Sequence, residues 1–243
     1  MLFRLLGVLA LITFSYVYGA VSFKDELFPA PQLRSLKRSV FPPRPALSYP
    51  DHHTDLREYF ISAHPRRATV VMVGDSHIEL GNWVELLGRC DVLNRGLGWD
   101  STEMLSKRMD EIYRLQPKVA VVMLGQNDIN RSRTLQETFS DYRAILEGLI
   151  AHHIRPVIHA VPLRNNPPYD EEINTAITRL NALLERYCSD RGIAWVNLNS
   201  RLAMNGRLDA AYMLDSRHLN QKGYLIWAEM LKPLLPQPSS SSL

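Results

Sequence analysis

Ser76 stands in the run VVMVGDSHIELGNW, just after a short β-branched stretch and just ahead of a helical one. A serine there is a favoured helix N-cap. It is also where a nucleophile can be held at the end of a strand. A nucleophilic hydroxyl needs a base to take its proton, a group to orient the base, and donors for the oxyanion that forms. Candidates for base and orienter lie together far along the chain, in DSRHLNQKGY, where Asp215 and His218 are three residues apart. That spacing puts both on one side of a turn. A carboxylate against one imidazole nitrogen fixes the tautomer, leaves the other nitrogen for the serine, and stabilises the imidazolium. The same D-x-x-H also fits a turn-capping aspartate beside a surface histidine. Donor candidates occur at two further places. Gly96, in VLNRGLGWDST, has no side chain, so its backbone N–H can approach a ligand closely. Asn127, in VVMLGQNDI, carries an amide NH₂. With the N–H of Ser76 they make a set suited to a tetrahedral oxyanion. Gly96 equally fits a turn, and Asn127 an amide that ties its own loop. The chemistry open to the whole set is acyl transfer, which requires no metal or organic cofactor.

Such residues matter only if the chain brings them together, and the pattern around them indicates how. Short apolar runs at 69–73, 91–94, 118–124, 155–161 and 193–197 predict strands. Helical spacing predicts helices after Ser76 (Leu80, Trp83, Val84 and Leu87 on one face), over 101–115 (Met104, Leu105, Arg108 and Ile112), over 135–151, over 171–190, and from about Asn220 to before Pro236. Strands that alternate with helices through short links imply a parallel sheet covered on both faces. Right-handed crossovers then give an α/β fold, a doubly wound three-layer α/β/α sandwich on a five-stranded parallel sheet. Ligands in such sheets sit outside the carboxyl ends of the strands. Gly74-Asp75-Ser76, Arg95-Gly96, Gly125 to Asp128, and Pro162-Leu163 all fall there.

Composition narrows the partners. The 243 residues carry a formal charge of +3 and no dense basic stripe, so nucleic acid is not expected. His52-His53 and His152-His153 lack the spacing of helical metal ligands, and His159 reads as a core histidine within a strand. Arg4 is the only charge before Lys24, and residues 5–23 are an uncharged apolar run. We read 1–23 as a signal peptide or an uncleaved membrane anchor, hence an exported, periplasmic or extracellular protein. Residues 24–66 hold Pro29, Pro31, Pro42, Pro43, Pro45 and Pro50 and read as an irregular tether, with room for a short helix near 55–62. Residues 67–235 form the folded domain, and 236–243 a low-complexity tail.

Four blocks in one order, GDS, NRGLGWDST, GQND and DSRHLN, resemble the SGNH, or GDSL-type, hydrolase family over roughly residues 69–235. The last helix and NRGLGWDST look most like its platelet-activating-factor acetylhydrolase-like branch, which also contains carbohydrate esterases. The resemblance implies a flavodoxin-like 2-1-3-4-5 strand order. It implies Ser76 as nucleophile, His218 as base and Asp215 as its orienter, with Ser76, Gly96 and Asn127 forming the oxyanion hole. Asp75 and Asp128 become structural. The implied substrate is a short acyl ester or an acylated glycan, with acetyl transfer between glycans as an alternative and a non-catalytic binding module as a further one. His77 and Gln126 depart from the family pattern and, with Trp99, are candidate substrate contacts. In the implied strand order Cys90 and Cys188 belong to opposite edges of the sheet, so both are expected to remain thiols.

Overall fold

Val70–Gly74 and Val119–Met123 are apolar throughout and buried at every position, as central strands covered on both faces must be. The computed structural model describes residues 50–62 and 68–238. In them β1 (Val70–Gly74), β2 (Val92–Gly96), β3 (Val119–Met123), β4 (Arg155–His159) and β5 (Ala194–Val196) form a five-stranded sheet in the order β2-β1-β3-β4-β5. Every pairing in it is parallel. This is the α/β/α sandwich, with the strand order that the resemblance implies.

The helices, in chain order, are α1 (Pro50–Ser62), α2 (Ser76–Glu79), α3 (Trp83–Leu87), α4 (Thr102–Ser106), α5 (Met109–Arg114), α6 (Gln126–Asn130), α7 (Leu135–Ala151), α8 (Glu171–Arg191), α9 (Asn199–Leu202) and α10 (Gln221–Leu231). Successive strand residues face opposite ways and so divide the core in two. Val71, Val73, Ala120, Val122 and Ile158 pack on one side with Tyr142, Ile145 and Leu149 of α7 and Ile177, Leu180 and Leu184 of α8. Val70, Met72, Val121 and Val157 pack on the other with Ile78, Trp83, Leu87 and, from α10, Tyr224, Trp227 and Leu231. A short antiparallel pair, β6 (Ala203–Met204) and β7 (Arg207–Leu208), lies outside the main sheet.

Two expected helices are each broken. The helix after Ser76 stops at Glu79 and restarts at Trp83, because the Trp83 ring folds back over Gly81 and donates its indole N–H to the Ile78 carbonyl at 2.8 Å. A Cβ on Gly81 would stand 2.5 Å from that ring. The expected apolar face is therefore divided: Trp83 and Leu87 are buried, Leu80 and Val84 exposed. The 101–115 helix breaks at Lys107-Arg108, where the buried Arg108 side chain turns toward Asp100 and the Arg95 carbonyl.

The described residues from His52 onward belong to one compact unit. The membrane segment at 1–23, most of the expected tether and residues 239–243 lie outside the described residues. The described part of that tether is helical in α1, whose proline stands in the first turn, where no N–H is needed. The Arg95 guanidinium lies 4.5 Å from the Phe60 ring centroid, and Arg57 pairs with Glu111 at 2.8 Å. Among the described residues no helix is long and apolar enough to cross a membrane. No disulfide joins Cys90, just before β2, to Cys188, near the end of α8, and burial pushes the Cys188 thiol up to about 12. His159 is buried on β4. Burial holds it down to about 3, and its neutral Nδ1 accepts the Trp227 indole N–H at 3.1 Å.

Candidate active site

β1 ends on a glycine because its neighbour leaves no alternative: a Cβ on Gly74 would stand 1.9 Å from the Met123 carbonyl oxygen. Asp75 follows as the N-cap of α2, its Oδ1 accepting the His77 N–H at 3.0 Å. The capping role open to Ser76 in the sequence is thus taken by its predecessor. Ser76 becomes the first helical residue, and its Oγ lies 3.0 Å from Nε2 of His218, 142 positions along the chain.

Nδ1 of His218 lies 2.8 Å from Oδ2 of Asp215. Oδ1 of Asp215 accepts the backbone N–H groups of Arg217 and His218, each at 2.8 Å, and so shapes the turn that carries the imidazole. Asp215 remains an anion: partial burial pushes its carboxyl up, but its bonds to His218 and to the two N–H groups outweigh this and bring it down to about 2. His218 lies below the usual histidine value of 6.5, lowered first by burial and then by the charge of His77, against the pull of Asp215. At neutral pH it therefore holds one proton, on Nδ1 toward Asp215, and offers the Nε2 lone pair to the serine. That arrangement can draw the Ser76 proton as the oxygen attacks.

The loop 97–100 runs beside the serine. A Cβ on Gly98 would stand 4.0 Å from the Ser76 Cβ, and the Gly98 N–H is held by the Glu79 carboxylate. Asn127 opens the next strand end and gives one amide hydrogen to the Asp100 carbonyl at 3.0 Å, leaving the second. The N–H of Ser76 sits at the first helical position, where no intrahelical acceptor exists.

Three expected site residues have other occupations. The Gly96 N–H is donated to Asn94 Oδ1 at 2.8 Å, so the structure does not offer it to an oxyanion. Gly96 is small for a packing reason: a Cβ there would lie 2.2 Å from the backbone N of Glu79. Gln126 is buried, its amide directed at the Pro162 carbonyl at 3.4 Å. His77 is 1% exposed and directed at Asp75 and the Arg217 carbonyl, away from solvent. Both side chains are buried. Trp99 is 46% exposed, in the loop beside Ser76, with φ of +69°.

Supporting residues missed in the sequence brace this geometry. Arg108 donates twice to Asp100 Oδ2, at 2.8 and 2.6 Å, and once to the Arg95 carbonyl at 3.0 Å, anchoring the carbonyl carrier on which Asn127 rests. Asn94 gives its amide to the Ile78 and Glu79 carbonyls at 2.9 and 3.0 Å, tying α2 to β2. Asp128, which the family resemblance already implied to be structural, accepts from the Thr102 N–H and hydroxyl. Arg108 did leave a signal, a charge on the same helical stripe as Leu105 and Ile112, and Asn94 another, a polar residue inside a strand.

Residues 72–226 match the model of the GDSL-like Lipase/Acylhydrolase family. A relative from Rattus norvegicus, platelet-activating factor acetylhydrolase IB subunit alpha1, is 28% identical over 182 residues, spanning 68% of this chain and 74% of the relative. Among solved structures, a GDSL-like lipase from Bacteroides thetaiotaomicron superposes with a TM-score of 0.65 at 23% identity, covering 76% of this chain and 96% of that one. The acetyl xylan esterase AlAXEase superposes with a TM-score of 0.57 at 17% identity, covering 69% and 100%.

Proposed function

The chain belongs to the GDSL-like lipase/acylhydrolase family and is a hydrolase of ester bonds, and from that premise we propose that it is a serine esterase for short acyl groups, acetyl foremost, carried on a glycan or other small alcohol. The observation that carries this reading is the continuous chain of contacts from the Ser76 hydroxyl through His218 to Asp215, at 3.0 and 2.8 Å. In the proposed reaction Ser76 Oγ attacks the ester carbonyl while its proton passes to Nε2 of His218. The imidazolium then gives that proton to the departing alcohol oxygen, leaving an acyl-serine. Water repeats the sequence: its proton goes to His218, its oxygen to the acyl carbon, and the serine leaves with the proton returned. Asn127 and the Ser76 N–H are the donors assigned to the oxyanion, and Gly96 is not among them.

The preference for acetyl is supported by the acetylhydrolase and acetyl xylan esterase names among the similar proteins. An exposed Trp99 beside the serine adds a surface on which a sugar ring can stack. The uncharged run at 5–23 supports an exported enzyme that meets acylated glycans outside the membrane.

The test is a panel of esters varying in acyl length and alcohol, acetylated xylo-oligosaccharides included, with free acid measured alongside newly acylated glycan. Release of free acetate at the highest kcat/KM supports the reading. Acetylated acceptor glycan without free acetate would replace it with acyl transfer between sugars, and no turnover of any ester would end it. On the same substrates Asn127→Ala should lower kcat by about 10²- to 10³-fold, the usual effect of removing one oxyanion donor, with KM changed far less. Unchanged kcat would remove Asn127 from the oxyanion site.

A further inference from the structure

His77 follows the nucleophile directly, yet it is sealed from solvent and makes two side-chain contacts that neither capping nor packing requires. Its Nδ1 lies 3.1 Å from Asp75 Oδ1, and its Nε2 lies 3.0 Å from the backbone carbonyl oxygen of Arg217. Both partners are acceptors. The carbonyl has no proton to give, so Nε2 must carry one. Asp75 Oδ1 already accepts the His77 backbone N–H, so the ring nitrogen facing that oxygen is also placed as a donor. A neutral imidazole holds only one N–H, and meeting both acceptors takes two. Arg217 immediately precedes His218, whose ring centroid lies 5.2 Å from that of His77. One side chain thus spans 140 positions, from the turn that presents the nucleophile to the turn that presents the base.

We propose that His77 is a positioning residue for the ester hydrolysis: doubly protonated, it clamps the 215–218 turn against the nucleophile turn and keeps a fixed positive charge beside the base. The inference rests on the reading of Ser76 and His218 as nucleophile and base. The charged and titratable groups facing the pair are consistent with it. Asp75 lies on the same turn. Asp215 and His218 face His77 from the opposing turn, which also contributes the Arg217 charge. From α10, the Tyr224 hydroxyl donates to the His77 carbonyl at 2.7 Å. Burial alone would drive the proton off His77, but the charge and hydrogen bond of Asp75 and the bond to Arg217 outweigh it, so the group lies above 6.5. The positive charge acts on His218 in the opposite sense and helps to hold it below 6.5. His218 therefore stays neutral, and able to accept the serine proton, to lower pH than it would without its neighbour.

Two measurements on the full chain decide this. The first needs no activity. In ¹⁵N-histidine-labelled protein at pH 7, with signals assigned through the His77→Gln variant, both His77 ring nitrogens should be protonated. A ring with one bare nitrogen would overturn the proposal. The second is the pH profile of kcat/KM for a short aryl ester. His77→Gln keeps an amide donor for the Arg217 carbonyl but carries no charge. Its acid limb should move to higher pH, and its kcat should fall by about tenfold with KM nearly unchanged, since a slightly misplaced base costs rate before it costs binding. A profile and kcat that coincide with the unaltered enzyme would overturn the proposal even in a fully folded variant. Absence of esterase activity in the unaltered protein would defeat the esterase reading separately, with the nitrogen spectrum still deciding the protonation on which the clamp depends.

Discussion

Ser76→Ala is expected to lower kcat for short aryl esters by roughly a million-fold, the scale seen when the serine of a hydrolase triad is removed, while the protein keeps its fold. The oxygen that disappears is bonded to His218 Nε2, and α2 does not depend on it, because Asp75 provides the cap. Thermal unfolding should consequently change by no more than about 0.5 kcal/mol, the range usual for a substitution that disturbs no cap or core contact. Combining it with His218→Ala should add little further loss, since the two residues act on one proton and neither assists without the other. The residual rate, about 10³- to 10⁴-fold above water, would then report the oxyanion donors alone. Retention of a tenth of the activity by Ser76→Ala would show that another group attacks the ester.

Asp215→Asn is the more discriminating substitution, with an expected loss in kcat of about 10⁴-fold. Asp215 Oδ1 accepts two backbone N–H groups, and Oδ2 faces the His218 ring. An asparagine must keep its one carbonyl oxygen toward the two N–H groups to preserve the turn. Its NH₂ then faces Nδ1 as a donor, so Nδ1 must accept, and the ring proton moves to Nε2. There it faces Ser76, and the base has no lone pair for the serine proton. The turn itself should survive, so unfolding should change little while turnover collapses. Asp215→Ala, which also removes the oxygen that accepts both backbone N–H groups, should lose stability in addition to rate. If Asp215→Asn stayed within tenfold of the unaltered enzyme, His218 would have to be oriented by some other group.

The expected strands coincide with the observed ones to within a few residues, and the 135–151 helix in full, because burial on both faces demands an unbroken apolar run and surface helices show their period directly. The helix breaks at Gly81 and Arg108 were not legible. Each depends on a side chain reaching back to a carbonyl that only the folded chain brings near. The candidate site divides in the same way. Ser76, Asp215 and His218 could be picked out by residue type and by their places at the ends of elements. Gly96 was picked out for the right residue type with the wrong reason: its small size admits the backbone of α2, and its N–H is held by Asn94. His77 and Gln126 were expected to meet substrate and instead face acceptors inside the protein.

Alternation of strand and helix, a sheet covered on both faces, and the residue types at the strand ends are legible from the chain alone, since each follows from local patterning and from burial that a short window reveals. Which acceptor each donor meets emerges only once the chain is folded: Asp75 caps in place of Ser76, Asn94 holds the Gly96 N–H, and the imidazole of His77 reaches the residue before His218. A hydrogen bond is specific to within a few tenths of an ångström and to a direction, whereas a sequence pattern specifies only a face. Partners 140 positions apart meet through the packing of every element between them.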